Sequence, residues 1–311
     1  MVEKREIGSS GIEVAPLALG GNVFGWTADE ATSFTLMDAF REAGGTMIDT
    51  ADVYSAWVPG HSGGESERVI GQWLARSGAR EEMVIATKVG FMAGLQPDTI
   101  REGCDKSLER LGIETIDLYY MHKDDESVPL DESLGVYDEL VKAGRIRAIG
   151  LSNFTAPRIA EAMEVADRCG YARPQALQPW YNLVERERYE DELAAAAQAA
   201  GLSVFPYYGL ANGFLTGKYR SKDDLDQSPR GLRNVAYLEG RGQDVLAAMD
   251  AIAADTGAPL AAIALAWLMR APTITAPIAS ATSLAQLSEL TAALTLDLTD
   301  EQVASLDAAS G

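Results

Sequence analysis

The sequence is poor in residues that announce a simple chemistry. Its 311 residues hold two cysteines, Cys104 and Cys169, each alone in a helix-like stretch. Isolated thiols of this kind read as small buried apolar side chains, not as a bridge or a metal site. Histidine is equally scarce: two occur, with neither H-x-H nor H-E-x-x-H spacing, so a metal-dependent hydrolase finds little support. Basic residues number 26 against 46 acidic ones, a net charge of −20, which disfavours nucleic acid and anionic membrane surfaces as partners. The longest apolar run, Ala258 to Met269, falls well short of the ~20 residues of a membrane span. The opening "MVEKREIGSS" has no apolar signal core, and the sequon-like Asn153 to Thr155 is idle without export. A soluble cytoplasmic chain is the expectation.

What the chain does have is alternation. Residues 4–7 and 12–14 flank Ser9-Ser10-Gly11 as a β-hairpin. Eight short apolar runs follow, closing near Leu19, Asp49, Val89, His122, Asn153, Tyr181, Tyr208 and Ser280, and helical periodicity follows each of the first seven. Strands that are apolar throughout suit a parallel sheet buried on both faces. Eight of them point to an α/β fold, a (β/α)8 TIM barrel behind an N-terminal β-hairpin, as a single domain over residues 1–311. An open doubly wound sheet would want G-x-G-x-x-G after an early strand, and "LGGNVFG" does not match. "GFLTGKY", Gly213 to Tyr219, has the wrong spacing for a phosphate loop and Tyr219 where Ser or Thr is required. The stretch Lys218 to Gly240 is too long for an idle connection and reads as a lid or binding loop.

Barrel chemistry gathers at the C-terminal ends of the strands. Those ends offer Asp49 with Tyr54 just beyond, Lys88, His122, Ser152 with Asn153, Gln178, and Tyr207 with Tyr208. A phenol is a poor acid at neutral pH, but an ammonium about 4 Å away stabilises the phenolate by roughly 4 kcal/mol at an effective dielectric near 20. Asp49 would keep Lys88 charged, and a neutral His122 could donate to a carbonyl oxygen. Taken singly, Asp49, Tyr54 and His122 each have a plain structural reading; a lysine inside an apolar strand does not, because an unpaired buried ammonium is costly. An aldolase using Lys88 for a Schiff base would not need Tyr54 and His122 so placed. Phe24, Trp26, Trp57, Phe91 and Trp180 would ring the cleft and suit a ring-bearing or partly apolar substrate, though packing accounts for half of them equally well.

The motifs "IDTADVY", "ATK", "YYMHKDD", "IGLSNF" and "NGFLTGKY", in this order along nearly the whole chain, resemble the aldo-keto reductase superfamily. The resemblance implies a nicotinamide cofactor, NADPH or NADH, and reversible reduction of a small-molecule aldehyde or ketone to an alcohol. It makes Tyr54 the general acid, tuned by Lys88 and Asp49, with His122 orienting the carbonyl. It assigns Ser152, Asn153 and Gln178 to the carboxamide and Tyr207 to the nicotinamide ring. Leu215, Gly217, Lys218 and Arg230 match the pyrophosphate clamp, Ser280, Thr282, Gln286 and Glu289 fall at the adenosine end, and Gly21, Asn22 and Leu210 complete the cofactor-binding set. Two departures stand out: "YYGL" replaces the commoner "YSPL", and no Lys or Arg follows Arg270. NADPH selectivity weaker than is usual for the superfamily is therefore expected, with NADH open as the cofactor, unless Lys218 or a basic residue of the long loop folds over the 2′-phosphate. The superfamily also includes cofactor-binding regulatory subunits associated with channels, which is the alternative function.

Overall fold

The computed structural model describes residues 2–227 and 231–311. The chain opens on an antiparallel hairpin in which β1 (Arg5–Glu6) pairs with β2 (Glu13–Val14). Ile7, Ile12 and Val14 are buried in one cluster with the barrel-interior residues Met47, Ala86 and Leu118. Arg5 pins the hairpin by donating to the Ile274 and Met269 carbonyls at 2.8 and 3.0 Å. The hairpin therefore plugs one end of the barrel and leaves the other for a cleft.

Among the described residues one parallel sheet of eight strands runs in chain order: β3 (Ala18–Gly20), β4 (Met47–Asp49), β5 (Val84–Val89), β6 (Ile116–Met121), β7 (Ile146–Ser152), β8 (Ala176–Gln178), β9 (Ser203–Val204) and β10 (Ile278–Ala279). β10 pairs with β3. The ring closes where Thr275 N–H donates to Val204 O and Ile278 N–H to Pro206 O, both at 2.8 Å. The fold is a (β/α)8 barrel with an N-terminal hairpin. Helices wrap its outside, and their ends follow from local chemistry. Asp29 caps the helix Glu30–Glu42 by accepting from Thr32 N–H, and Leu36, Met37 and Phe40 form its buried stripe. The helix Pro97–Leu111 starts on proline and stops at Gly112, whose φ of 64° suits glycine.

Several boundaries differ from the sequence reading. The helical stretch expected after the sixth apolar run is broken into Glu187–Glu190 and Leu193–Ala200. Of the strand expected to run to Tyr208, the regular ladder stops at Val204, while Phe205 and Tyr207 still donate to Leu177 O and Pro179 O and Tyr207 forms an isolated bridge with Trp180. The stretch 218–240 is not featureless: it forms the short 3-10 turns Lys222–Gln227 and Gly231–Asn234 and the helical turn Val235–Leu238. Two helices, Leu284–Thr291 and Asp300–Ser310, were not anticipated at all. Among the described residues no single helix is long and apolar enough to cross a membrane.

Candidate active site

Strand periodicity builds the site. Side chains alternate across a strand, so every second residue faces the barrel interior. In β5, Val84 and Ala86 lie in the interior cluster, and Lys88 is next in that register. Likewise Met47 leads to Asp49, Leu118 and Tyr120 to His122, Ala148 and Gly150 to Ser152, and Ala176 to Gln178. The uppermost inward layer is thus polar while the layers below it are mostly apolar. Gly150 has a steric role here, because a Cβ on it would stand 2.2 Å from the Tyr120 ring.

At the centre lies the Lys88 ammonium, fully buried. It donates to Asp49 Oδ2 at 2.6 Å, to the Thr50 carbonyl at 2.7 Å and to the Tyr54 hydroxyl at 3.1 Å. Burial pushes its pKa down, and the Asp49 carboxylate opposes the shift. Gln178 donates its amide to the other Asp49 oxygen at 2.9 Å. Tyr54 is bent back over Lys88 because the loop after β4 is tied to β5: Thr50 N–H donates to Ala86 O and Asp52 N–H to Lys88 O. His122 faces Tyr54 with ring centroids 6.1 Å apart. Burial, with the Lys88 charge adding, pushes its pKa well below the imidazole range, so it is neutral at pH 7. Its Nδ1 is buried without a hydrogen bond.

The residues assigned to a dinucleotide continue around the rim. Asn153 donates to the His122 carbonyl at 2.9 Å and accepts from the Tyr207 hydroxyl at 2.7 Å. Ser152 donates to Gln178 O at 3.0 Å. At β10, Ser280 donates to Asn22 Oδ1 at 2.7 Å, and Thr282 donates through its N–H and hydroxyl to Gln286 Oε1 at 2.9 and 3.0 Å. Gly21 N–H binds the Asp49 carbonyl, and Leu215 N–H the Leu210 carbonyl. Lys218 is exposed with its ammonium 5.0 Å from the Tyr219 ring, while Gln286 and Glu289 lie exposed on the helix Leu284–Thr291. Arg230 lies outside the described residues. Amides and hydroxyls at the ends of β7 and β8 beside a half-buried tyrosine fit a nicotinamide carboxamide and its ring.

Backbone strain marks the same rim. Among the described residues, the non-glycine positions with positive φ are Ser55, Asn153, Tyr208, Ala211 and Asn212. All follow barrel strands at the open end. Such conformations cost of order 1 kcal/mol or more each and gather where function demands them.

The aromatic residues divide. Trp57 and Phe91 are half exposed at the mouth, where Trp57 meets Trp26 edge-on at 5.6 Å and Phe91 lies 4.8 Å from His122. Met92, which the sequence reading passed over, is exposed beside them. Phe24, by contrast, is fully buried in the outer core, where it has no face toward the mouth. Trp180 packs edge-on against Tyr208 at 4.4 Å and Tyr207 at 5.8 Å, and with Asn153, Leu193 and Arg188 it lines a cavity of about 210 Å³. Thr50, Asp52 and Glu185 were also overlooked. The first contributes its backbone carbonyl to Lys88, and Asp52 lies inside the motif "IDTADVY".

Against known proteins, the model of the aldo/keto reductase family matches residues 16–310. Aldo-keto reductase str7 of Strobilurus tenacellus is 31% identical over 97% of this chain and 87% of its own length. The uncharacterized oxidoreductase YrpG of Bacillus subtilis is 33% identical over 96% of this chain and 93% of its own. A probable voltage-gated potassium channel subunit beta of Oryza sativa is 31% identical over 93% and 90%. With a matching barrel, a matching family model and relatives of this extent, the chain belongs to the aldo/keto reductase family.

Proposed function

We propose that residues 1–311 form one barrel domain that reversibly reduces a ring-bearing or partly apolar aldehyde or ketone, with NADH preferred over NADPH. The observation that carries this reading is the Lys88 ammonium, bonded at once to Asp49 and to the Tyr54 hydroxyl. A reduced nicotinamide, when bound, supplies the hydride. Tyr54 gives its proton to the carbonyl oxygen, and the ammonium 3.1 Å away stabilises the phenolate left behind. Asp49 holds Lys88 charged against the cost of burial. Neutral His122 donates from a ring nitrogen to the same carbonyl oxygen, so substrate is oriented without a competing charge.

The cofactor preference rests on what surrounds the adenosine end. Ser280, Thr282 and Gln286 are uncharged, Glu289 is an acid, and no Lys or Arg follows Arg270. Arg220 is held bidentate by Asp250 at 2.7 and 2.8 Å. A 2′-phosphate would therefore lack a charge-assisted partner from this segment. The exposed Trp57, Phe91 and Met92 support an apolar, ring-bearing substrate.

The test is nicotinamide consumption with an aldehyde and ketone panel, using NADH and NADPH separately, beside Tyr54→Phe. The expected result is at least tenfold higher kcat/KM for NADH and a loss of at least ~100-fold in kcat in the variant. Dinucleotide binding without any turnover would favour the regulatory-subunit reading, which draws on the superfamily resemblance and on the names of relatives such as the Oryza protein. No dinucleotide binding would overturn both.

A further inference from the structure

The donors that the proposed chemistry leaves unused converge on one carboxylate between β8 and the helix Leu193–Ala200. Glu185 Oε2 accepts from Trp180 Nε1 at 2.5 Å, from the Tyr237 hydroxyl at 2.7 Å and from Asn182 Nδ2 at 3.4 Å. Its Oε1 accepts from Arg188 Nε at 3.2 Å. The side chain keeps 18% exposure, so these bonds form in a largely enclosed site. Building on the reductase reading, we propose that Glu185 is a positioning residue that latches the segment after β9 to the aromatic floor of the cofactor groove and so sets how long the dinucleotide stays bound.

Two arms meet at Glu185. On one side, its bond fixes the indole of Trp180, which packs on Tyr208 and Tyr207 and carries the Arg188 guanidinium 4.5 Å over its own ring. Asn182 joins this arm by donating to the Tyr208 carbonyl at 3.1 Å. Tyr207 in turn donates to Asn153 at the carboxamide position. On the other side, Tyr237 belongs to the helical turn Val235–Leu238, and its ring lies 5.3 Å from Phe214. Phe214 sits in the turn Ala211–Thr216, which leads directly into Gly217 and Lys218 of the proposed pyrophosphate grip. Burial, with the Glu185 carboxylate adding, pushes the Tyr237 phenol up, so its hydroxyl remains the donor.

A satisfied carboxylate can be a structural staple and nothing more. What distinguishes Glu185 is the backbone it restrains: Tyr208, Ala211 and Asn212 all hold positive φ. Segments in that state revert to relaxed conformations unless outside contacts over-determine them. Relaxation here would dissolve the nicotinamide floor and the pyrophosphate turn together. A single carboxylate holding both arms therefore favours the closed groove, and its loss should speed exit more than entry.

The experiment is stopped-flow displacement on the full chain. Protein loaded with NADH is mixed with excess NAD+, and the loss of NADH fluorescence gives the release rate. Tyr237→Phe removes one donor and keeps the ring; Glu185→Gln keeps the shape and removes the charge. Release at least about fivefold faster in both, with association rates within twofold of the parent and unchanged melting of the nucleotide-free protein, supports the latch. Release at the parental rate in Tyr237→Phe and Glu185→Gln overturns it. Equal acceleration of entry and release also overturns it, since the contact would then not favour the closed groove. A parent that binds no NADH or NADPH fails at the reductase reading itself, before the variants are compared.

Discussion

Lys88 shows what a single buried charge demands. Its ammonium is fully enclosed and its favourable contacts are to Asp49, Thr50 and Tyr54, so the pair with Asp49 is a unit. Removing one partner strands the other in low dielectric. Lys88→Met should cost about 3–5 kcal/mol in urea denaturation, and adding Asp49→Asn should recover much of the loss. Equal stability of single and double variants would refute the coupling. Asp52 behaves differently. The residue keeps some exposure, but its Oδ1 is enclosed and takes no hydrogen bond. Burial, with Glu67 adding and Arg110 opposing, pushes its carboxyl up to about 7. The folded chain then holds a proton that the unfolded chain has released, so stability falls as pH rises from about 4 to about 7. Asp52→Asn removes that penalty. Its melting temperature should match the parent near pH 4, exceed it increasingly up to pH 7 and level off above, a gain of up to roughly 4 kcal/mol. A constant offset across that range would count against it.

At the scale of strands and helices, the strand positions could be read from apolar runs bounded by polar ends. The reading placed every barrel strand, and its longer β8 and β9 follow pairing that continues past the regular ladder, with Phe205 N–H donating to Leu177 O and Tyr207 N–H to Pro179 O. Asp49, Lys88 and His122 were legible for a physical reason: period-two alternation carries each one step above an apolar inward residue. Glu185 was not, because its donors come from loops whose approach no periodicity encodes. The terminal helix Asp300–Ser310 did leave a signal, the capping box of Thr299 and Gln302, which sits just ahead of a weakly apolar run. Gly150 in β7 is another position where only packing explains the residue. A methyl there would stand 2.2 Å from Tyr120, whose ring is fully buried and has nowhere to move. Gly150→Ala should lower the denaturant midpoint by the equivalent of about 1–3 kcal/mol, and Tyr120→Leu in the same chain should restore part of it. A variant as stable as the parent would mean the interior can yield.

Over the whole molecule the acid excess matters most. With 26 basic residues against 46 acidic, pairing leaves most of the surface field negative, even though Arg41, Arg101, Arg158 and Arg220 all have carboxylate partners. A dinucleotide is itself anionic, and the 2′-phosphate of NADPH adds further charge. At about 10 mM salt the screening length is roughly 30 Å, longer than the radius of gyration of roughly 19 Å for a chain of this size, so distant acids still act on the groove. Near 150 mM the length falls to about 8 Å, and only neighbours count. Raising salt across that range should therefore tighten NADPH binding, and tighten NADH binding less, as read by equilibrium fluorescence titration. A cationic clamp built from Lys218 and its neighbours would do the reverse, because screening weakens attraction as surely as repulsion. The sign of the salt slope thus decides whether the field of the whole chain or a local grip governs the choice of cofactor.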